Sequence, residues 1–152
     1  MIHNMSKWIL VGAVLLAVVL GGLLLRLSAG SATVDAKEIS WELLAKMDYV
    51  SGAAPPELKE LDGKVVKMPG FMVPLEDEKK NVTEFLLVPT PQACIHVPPP
   101  PPNQMIYVKM NPAVGVAYGP IWTVGTLRLT SKKHMYGEAS FELEGTQVEA
   151  YH

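Results

Sequence analysis

Five consecutive prolines, Pro98–Pro102, constrain the fold of this chain more than any other stretch. Proline has a fixed φ and no backbone N–H, so neither a helix interior nor a central strand accommodates such a run. The run predicts a left-handed extended rod that rises ~3.1 Å per residue and is about 15 Å long. With 13 prolines and 12 glycines in total, the sequence favours short strands and turns over a helix bundle.

The N-terminal region contains an apolar run of 18 residues, Trp8–Leu25, which lies between Lys7 and Arg26. A membrane-spanning helix needs about 17–25 such residues, whereas the apolar core of a signal peptide has about 7–15. The length therefore favours an uncleaved signal anchor. The small residues of Leu27–Ala32 resemble a cleavage site, so removal of the segment is the alternative.

The chain divides into a signal anchor or transmembrane helix over residues 1–27, a linker over 28–38 and one domain over 39–152. A short N-terminal anchor usually precedes an exported domain, so we expect a single-pass inner-membrane protein whose domain faces the periplasm. After residue 32 the chain has 11 Lys+Arg and 15 Asp+Glu, a net charge of −4. This acidic balance argues against nucleic acid as a partner, because nucleic-acid affinity comes largely from neutralised phosphates.

Beyond the linker, a short helix over Ser40–Met47, capped by Ser40, precedes five stretches with strand-like patterns. The predicted strands are Lys64–Leu75, Val82–Pro89, Gln104–Met110, Ile121–Leu129 and Ala139–Ala150. Pro69-Gly70 predicts a bulge or kink in the first strand, and Asn111–Pro120 predicts a turn region. A curved first strand that pairs at both ends closes such a sheet. The fold class is therefore mainly β, a small five-stranded OB-like barrel with a short N-terminal helix.

The only cysteine, Cys94, lies two residues before His96 and close to the proline run. On an extended segment these side chains face the same side, and a thiolate with an imidazole suits zinc or copper. Two ligands do not complete a metal site, so others would have to come from elsewhere in the chain or from a second subunit. The candidates in this chain are His134, Glu76, Glu84, Met68 and Met72.

Other interpretations of Cys94 and His96 stay open. The pair also fits a buried thiol beside a histidine that bonds a backbone carbonyl, which is the default interpretation, or a redox or covalent role for the thiol. Core packing is the default interpretation of Met68 and Met72. The sequence shows no nucleophile elbow and no oxyanion-hole motif, so we expect a protein that is not an enzyme.

The proline run has two compatible interpretations. It is a preformed ridge on which a partner docks, or a strap across the barrel that holds Cys94 and His96 in place. An exposed Tyr107 beside the strap would mark a ligand groove. The predicted partner-binding residues are Pro98, Pro99, Pro100, Pro101, Pro102, Asn103, Gln104 and Tyr107.

Four sequence blocks resemble a bacterial family known as domain of unknown function 3299. They are Leu61–Leu75, Glu84–Pro89, Ala93–Gln104 and Gly119–Leu127. The resemblance implies an exported or membrane-tethered protein with an OB-like barrel, and it implies ABC-type transporter components as partners but no activity. We therefore expect a non-enzymatic envelope protein that serves a transport complex as a binding or adaptor module. Soft-metal binding by Cys94 and His96 is the alternative.

Overall fold

The computed structural model describes residues 35–91 and 98–151. In chain order the elements are β1 (Lys37–Glu38), α1 (Trp41–Leu44), α2 (Pro56–Lys59), β2 (Val65–Pro74), β3 (Val82–Val88), a 3-10 helix (Pro102–Gln104), β4 (Ile106–Val114), β5 (Pro120–Arg128), β6 (Lys132–His134), β7 (Gly137–Ala139) and β8 (Phe141–Ala150). None of the described helices is long and apolar enough to cross a membrane. The predicted anchor over residues 1–27 lies outside the described residues, and the three-part division of the chain stays a prediction.

Five strands form a closed barrel in the order β2-β3-β4-β8-β5, and β2 also pairs with β5. The β4–β8 pairing is parallel, and the other four pairings around the barrel are antiparallel. The first barrel strand closes the sheet because it uses two partners in turn. β2 pairs with β5 from Val65 to Phe71, and with β3 from Phe71 to Pro74. The predicted mainly β fold with a closed five-stranded barrel is confirmed.

Of the bulge or kink predicted at Pro69-Gly70, the bulge is wrong, because the register of β2 against β5 runs through both residues without a shift. The kink stays a prediction. The Pro69 carbonyl accepts a hydrogen bond of 2.7 Å from the Trp41 indole N–H. The nitrogen and carbonyl of a strand residue face the same edge. The backbone nitrogen of Pro69 therefore faces α1 and not β5. Because it would not donate to β5 in any case, the ladder with β5 loses no hydrogen bond.

Gly70 marks a close contact between β2 and β3. A Cβ atom at this position would lie 2.8 Å from both the Leu87 Cγ and the Val88 carbonyl oxygen. Real Cβ atoms do not approach other atoms this closely, so only glycine fits without a shift of β3. Gly70 thus allows β2 and β3 to approach closely. Local sequence rules instead associate a glycine in a strand with a bulge.

The interior of the barrel is the main hydrophobic core. Leu44 of α1 and Leu58 of α2 belong to the same cluster and are fully buried. From the barrel strands it contains Val66, Met68, Met72, Val82, Phe85, Leu87, Ile106, Val108, Met110, Ile121, Leu127, Phe141 and Leu143. The two short helices therefore belong to the barrel domain and share its core.

A second, smaller cluster lies on the outer face of β3 and β4. Its buried members are Leu86, Val88, Met105, Tyr107 and Ala139. Ala139 belongs to β7, which pairs with β6 in a two-stranded hairpin that the sequence analysis does not predict. This hairpin covers part of the outer face and leaves β4 buried on both sides over Ile106–Val108.

Two further expectations differ from the structure. β4 continues to Val114, which pairs with Val82, so the region predicted as a turn over Asn111–Pro120 begins with strand. Ser40 occupies the N-cap position of α1, but its hydroxyl makes no capping bond to the backbone. Instead, a hydrogen bond from Ser40 lowers the pKa of the exposed Glu42 carboxyl.

Candidate functional site

The end of the proline segment is where its extended conformation stops. Pro101 has φ −62° and ψ 155°, values of the left-handed extended conformation, whereas Pro102 begins the 3-10 helix. The predicted five-residue rod is therefore wrong at its last residue, because the chain turns there to enter β4. Pro98, Pro99 and Pro101 are exposed, and Pro100 is half-buried. We call Pro98–Pro101 the proline ridge.

The base of the proline ridge is fixed by hydrogen bonds. Asn103 is buried, and its amide donates to the Ala45 carbonyl at 3.1 Å and to the Met47 carbonyl at 2.9 Å. The Gln104 amide donates to the Trp41 carbonyl at 3.3 Å. On the opposite side, the Ser140 N–H donates to the Pro102 carbonyl at 2.9 Å. The 3-10 helix is thus attached both to α1 and to the start of β8.

These bonds bear on two of the predicted partner-binding residues. The side-chain amides of Asn103 and Gln104 bind carbonyls of the same molecule. They therefore act in the structure as parts of a strap. Their contact with a partner stays a prediction. The exposed surface of the segment belongs to the proline ridge.

Tyr107 does not have the exposed position that would mark a ligand groove. It is 6% exposed and lies beneath Lys132, whose Nζ is 5.4 Å from the centre of the ring. Burial raises the pKa of the Tyr107 phenol, and a hydrogen bond and the negative charge of Glu84 raise it further. The phenol is therefore a neutral hydrogen-bonding group, and the β6–β7 hairpin explains why the sequence expectation differs.

The predicted metal ligands are only partly described. Cys94 and His96 lie outside the described residues, so their proposed pairing stays a prediction. Met68 and Met72 both face the barrel interior and belong to its core. His134 lies at the end of β6, where its Nδ1 accepts a hydrogen bond of 3.2 Å from the Tyr136 N–H.

The carboxylates named as further ligands have partners of their own. Glu76 accepts hydrogen bonds from the Thr83 hydroxyl and backbone N–H, which lower the pKa of its carboxyl. Glu84 bonds Tyr107. Over residues 35–91 and 98–151, no three His, Cys, Asp or Glu side chains are grouped so that they could hold a metal ion.

A polar cleft of about 490 Å³ lies on the outer face of β3, β4 and β8. Its lining residues are Thr83, Glu84, Lys109, Met110, Asn111, Glu144, Gly145 and Thr146. Lys109 lies in register between Glu84 of β3 and Glu144 of β8. The sequence analysis misses this cleft, because the three strands that form it are far apart in the chain. The only sequence signal for this cleft is that charged residues alternate with apolar residues along parts of these three strands.

An apolar cleft of about 330 Å³ lies beside the end of β2. Its walls include Phe71, Val73, Pro91 and Tyr118, and Tyr118 is 86% exposed. It is separate from the polar cleft, with which it shares no lining residue. The loop between β4 and β5 supplies one wall, which explains why local sequence patterns do not reveal it.

Comparison with known proteins identifies relatives of the whole domain. The family model described as "Protein of unknown function (DUF3299)" matches residues 31–150. The crystal structure of a DUF3299 family protein from Pseudomonas aeruginosa PAO1 is similar, with a TM-score of 0.63 and 35% sequence identity. The match covers 77% of this chain and 97% of that chain. A search of curated proteins gives no significant match. The chain therefore belongs to the DUF3299 family.

Proposed function

We propose that this protein is a non-enzymatic, membrane-tethered envelope protein whose barrel is a binding or adaptor module for a transport complex. The observation that carries the proposal is the proline ridge on its hydrogen-bonded base. Exposed prolines in an extended conformation form a preordered surface that loses little conformational entropy when a partner binds. The bonds of Asn103 to the residues that follow α1 hold that surface in one position relative to the barrel.

The barrel is, in this proposal, an OB-like fold. The strand order supports it, because β2 pairs with both β3 and β5 while β4 and β8 run parallel. A five-stranded Greek-key barrel of this kind binds ligands on the outer face of its second and third strands. In this chain those strands are β3 and β4, which form part of the polar cleft.

The membrane location is supported by the apolar run Trp8–Leu25, which is long enough to span a bilayer. In the proposed arrangement the segment stays uncleaved in the inner membrane and the barrel faces the periplasm. The resemblance to exported proteins associated with ABC-type transporters supports transporter components as the partner. The acidic domain makes nucleic acid an unsuitable partner.

Photocrosslinking in cells tests the adaptor proposal. A photoreactive amino acid is placed at Pro98, Pro99 or Pro101 of the full chain, and at the exposed Glu78 of the β2–β3 turn as a control. We expect the three ridge positions, and not the control, to crosslink to a membrane protein that mass spectrometry identifies. Equal crosslinking at Glu78, or none at any ridge position, would refute the adaptor role.

The alternative is soft-metal binding through Cys94 and His96, which rests on their spacing in the sequence. Its test is titration of the purified full chain with Zn²⁺ and with Cu⁺, compared with the Cys94→Ser and His96→Ala variants. We expect loss of one bound metal ion in each variant. Unchanged stoichiometry and affinity in both variants would reject a metal site at this pair.

A further inference from the structure

The second half of β8 has an open edge. β4 pairs with β8 only as far as Met110 and Gly145, whereas β5 pairs with β8 as far as Ala150. Within the described ranges no strand pairs with residues 146–150 on the side that faces away from β5. A strand edge of this kind presents unpaired N–H and C=O groups to which another extended chain can add.

Val148 and Ala150 carry these backbone groups. The Tyr151 N–H donates to the Pro120 carbonyl of β5 at 3.1 Å, so the backbone of residue 151 faces β5. Backbone polar groups of successive residues point to opposite edges of a strand. Ala150 and Val148 therefore direct their N–H and C=O toward the open edge, at the two-residue spacing that an added strand requires.

The polar cleft lies where β4 separates from β8. Asn111 lines its β4 wall and Thr146 lines its β8 wall. On the β4 side the next residue is Pro112, which has no N–H to donate. The β8 side is therefore the better acceptor of an added strand, and the cleft gives room for the side chains of that strand.

The charge of β8 indicates which strand it would accept. β8 contains Glu142, Glu144 and Glu149 and no lysine or arginine. Glu149 pairs with Lys67 at 3.0 Å and Glu144 lies 4.0 Å from Arg128, so part of this negative charge is already balanced. The polar cleft contributes Glu84 against the single positive charge of Lys109. An extended segment with basic side chains is complementary to this surface, whereas a second copy of β8 would bring the same glutamates together.

We propose that the open edge of β8 binds an extended segment of a partner protein that carries lysine or arginine, and that the segment pairs as an added strand. This site is separate from the proline ridge and does not depend on the adaptor role of that ridge. Main-chain bonds to Val148 and Ala150 supply the affinity, and the excess negative charge of Glu144 and Glu84 over Lys109 favours a basic side chain.

Peptide binding to the purified full chain in detergent micelles tests the proposal. The probe is a fluorescent peptide, Ser-Val-Lys-Val-Ser-Thr, and the charge control is the same peptide with glutamate in place of lysine. We expect fluorescence anisotropy to show that the lysine peptide binds about tenfold more tightly or better. Equal affinity for the two peptides, or no binding of the lysine peptide at millimolar concentration, would overturn the proposal.

Two modifications test the strand geometry. N-methylation of alternate peptide amides should abolish binding in one of the two alternating sets and leave binding unchanged in the other, because only one set faces β8. In the protein, Ala150→Pro removes an N–H that faces the open edge and should weaken binding at least tenfold, whereas Ala150→Thr keeps the N–H and the affinity. The melting temperature of each variant verifies that the barrel is folded.

Several results would exclude the added strand. They are unchanged peptide binding in a folded Ala150→Pro variant, and equal effects of the two N-methylated sets. A dimer of the full chain that Ala150→Pro dissociates would show that a second copy occupies the edge instead. Alanine at Pro98 and Pro101 should leave peptide binding unchanged, so failure of this proposal is distinguishable from failure of the ridge.

Discussion

The Asn103 side-chain amide donates to the Met47 carbonyl at 2.9 Å, across 56 positions of sequence. A second bond from the same amide reaches the Ala45 carbonyl at 3.1 Å. The residue that follows the proline segment is thereby bound to the residues that follow α1. This buried amide is the part of the base of the proline ridge that makes two hydrogen bonds to the chain after α1.

Asn103→Ala should destabilise the domain by about 2 kcal/mol, because it removes the donor from two carbonyls, one of them in a buried bond. Urea unfolding of the full chain, followed by tryptophan fluorescence, measures this loss. Pro98→Ala is the matched control, since Pro98 is exposed, and its effect should stay within about 0.5 kcal/mol. A neutral Asn103→Ala variant would show that the amide does not hold the ridge.

Thr123→Val should stabilise the barrel. Thr123 is fully buried, and its hydroxyl has no hydrogen-bond partner among the described residues. Valine has nearly the same shape, so the substitution removes a buried unpaired polar group and gains about 1 kcal/mol. Thr123→Ser, which keeps the hydroxyl and loses the methyl group, should instead lower the melting temperature. The same direction of change in both variants would contradict this account.

Gly125→Ala should destabilise the barrel by about 3 kcal/mol or prevent folding, since the added methyl group meets backbone atoms that cannot move aside. A Cβ atom at Gly125 would contact the Glu144 carbonyl group and Gly145 of β8. Gly119→Ala is the control, because nothing lies within 4 Å of a Cβ atom at that position. Thermal unfolding of both variants measures the difference, and equal melting temperatures would refute the close contact of β5 and β8.

His134 should make stability fall as the pH drops below about 6.5. Burial lowers the pKa of its imidazole, so the folded state takes up a proton at lower pH than the unfolded chain. The unfolded state therefore binds more protons in this window and gains stability relative to the folded state. In His134→Gln this contribution is absent, and its unfolding free energy should change less between pH 7.5 and 5.5. Parallel pH profiles of the two proteins would contradict the prediction.

The acidic groups act in a separate pH window. Hydrogen bonds from Ser51 and Thr83 lower the pKa of Asp48 and of Glu76 respectively. Their stabilising contribution is present above the ordinary pKa values of 3.8 and 4.5 and is lost as the pH falls further. The effect of His134 is therefore measurable at higher pH, before these carboxylates are protonated.

The sequence predicts the five barrel strands because each is a stretch of mostly apolar and β-branched residues that is bounded by turn residues. It does not predict β6 and β7, which have three residues each and form where Ala139 packs on the outer face of the barrel. The error at Pro69-Gly70 has a related cause. Local rules interpret the two residues as an interruption, whereas β2 continues through both of them and changes partner at Phe71.

The candidate site is predictable only in part for the same reason. The extended conformation of Pro101 follows from the chemistry of proline. The burial of Tyr107 depends on Lys132 and on the β6–β7 hairpin, which is a tertiary contact. The open edge of β8 exists because its pairing with β4 ends before its pairing with β5 does. The sequence of one strand does not predict where the pairing with a neighbouring strand ends.

The position of β8 in the barrel order determines when the fold can form. β8 takes part in two of the five strand pairings of the barrel, one with β4 and one with β5. It is the last strand of the described chain. A nascent polypeptide that has not yet reached Phe141 lacks both pairings, so the apolar faces of its other strands stay exposed to solvent and to chaperones. The barrel can therefore close only after β8 has been synthesised, later than all of its other strands.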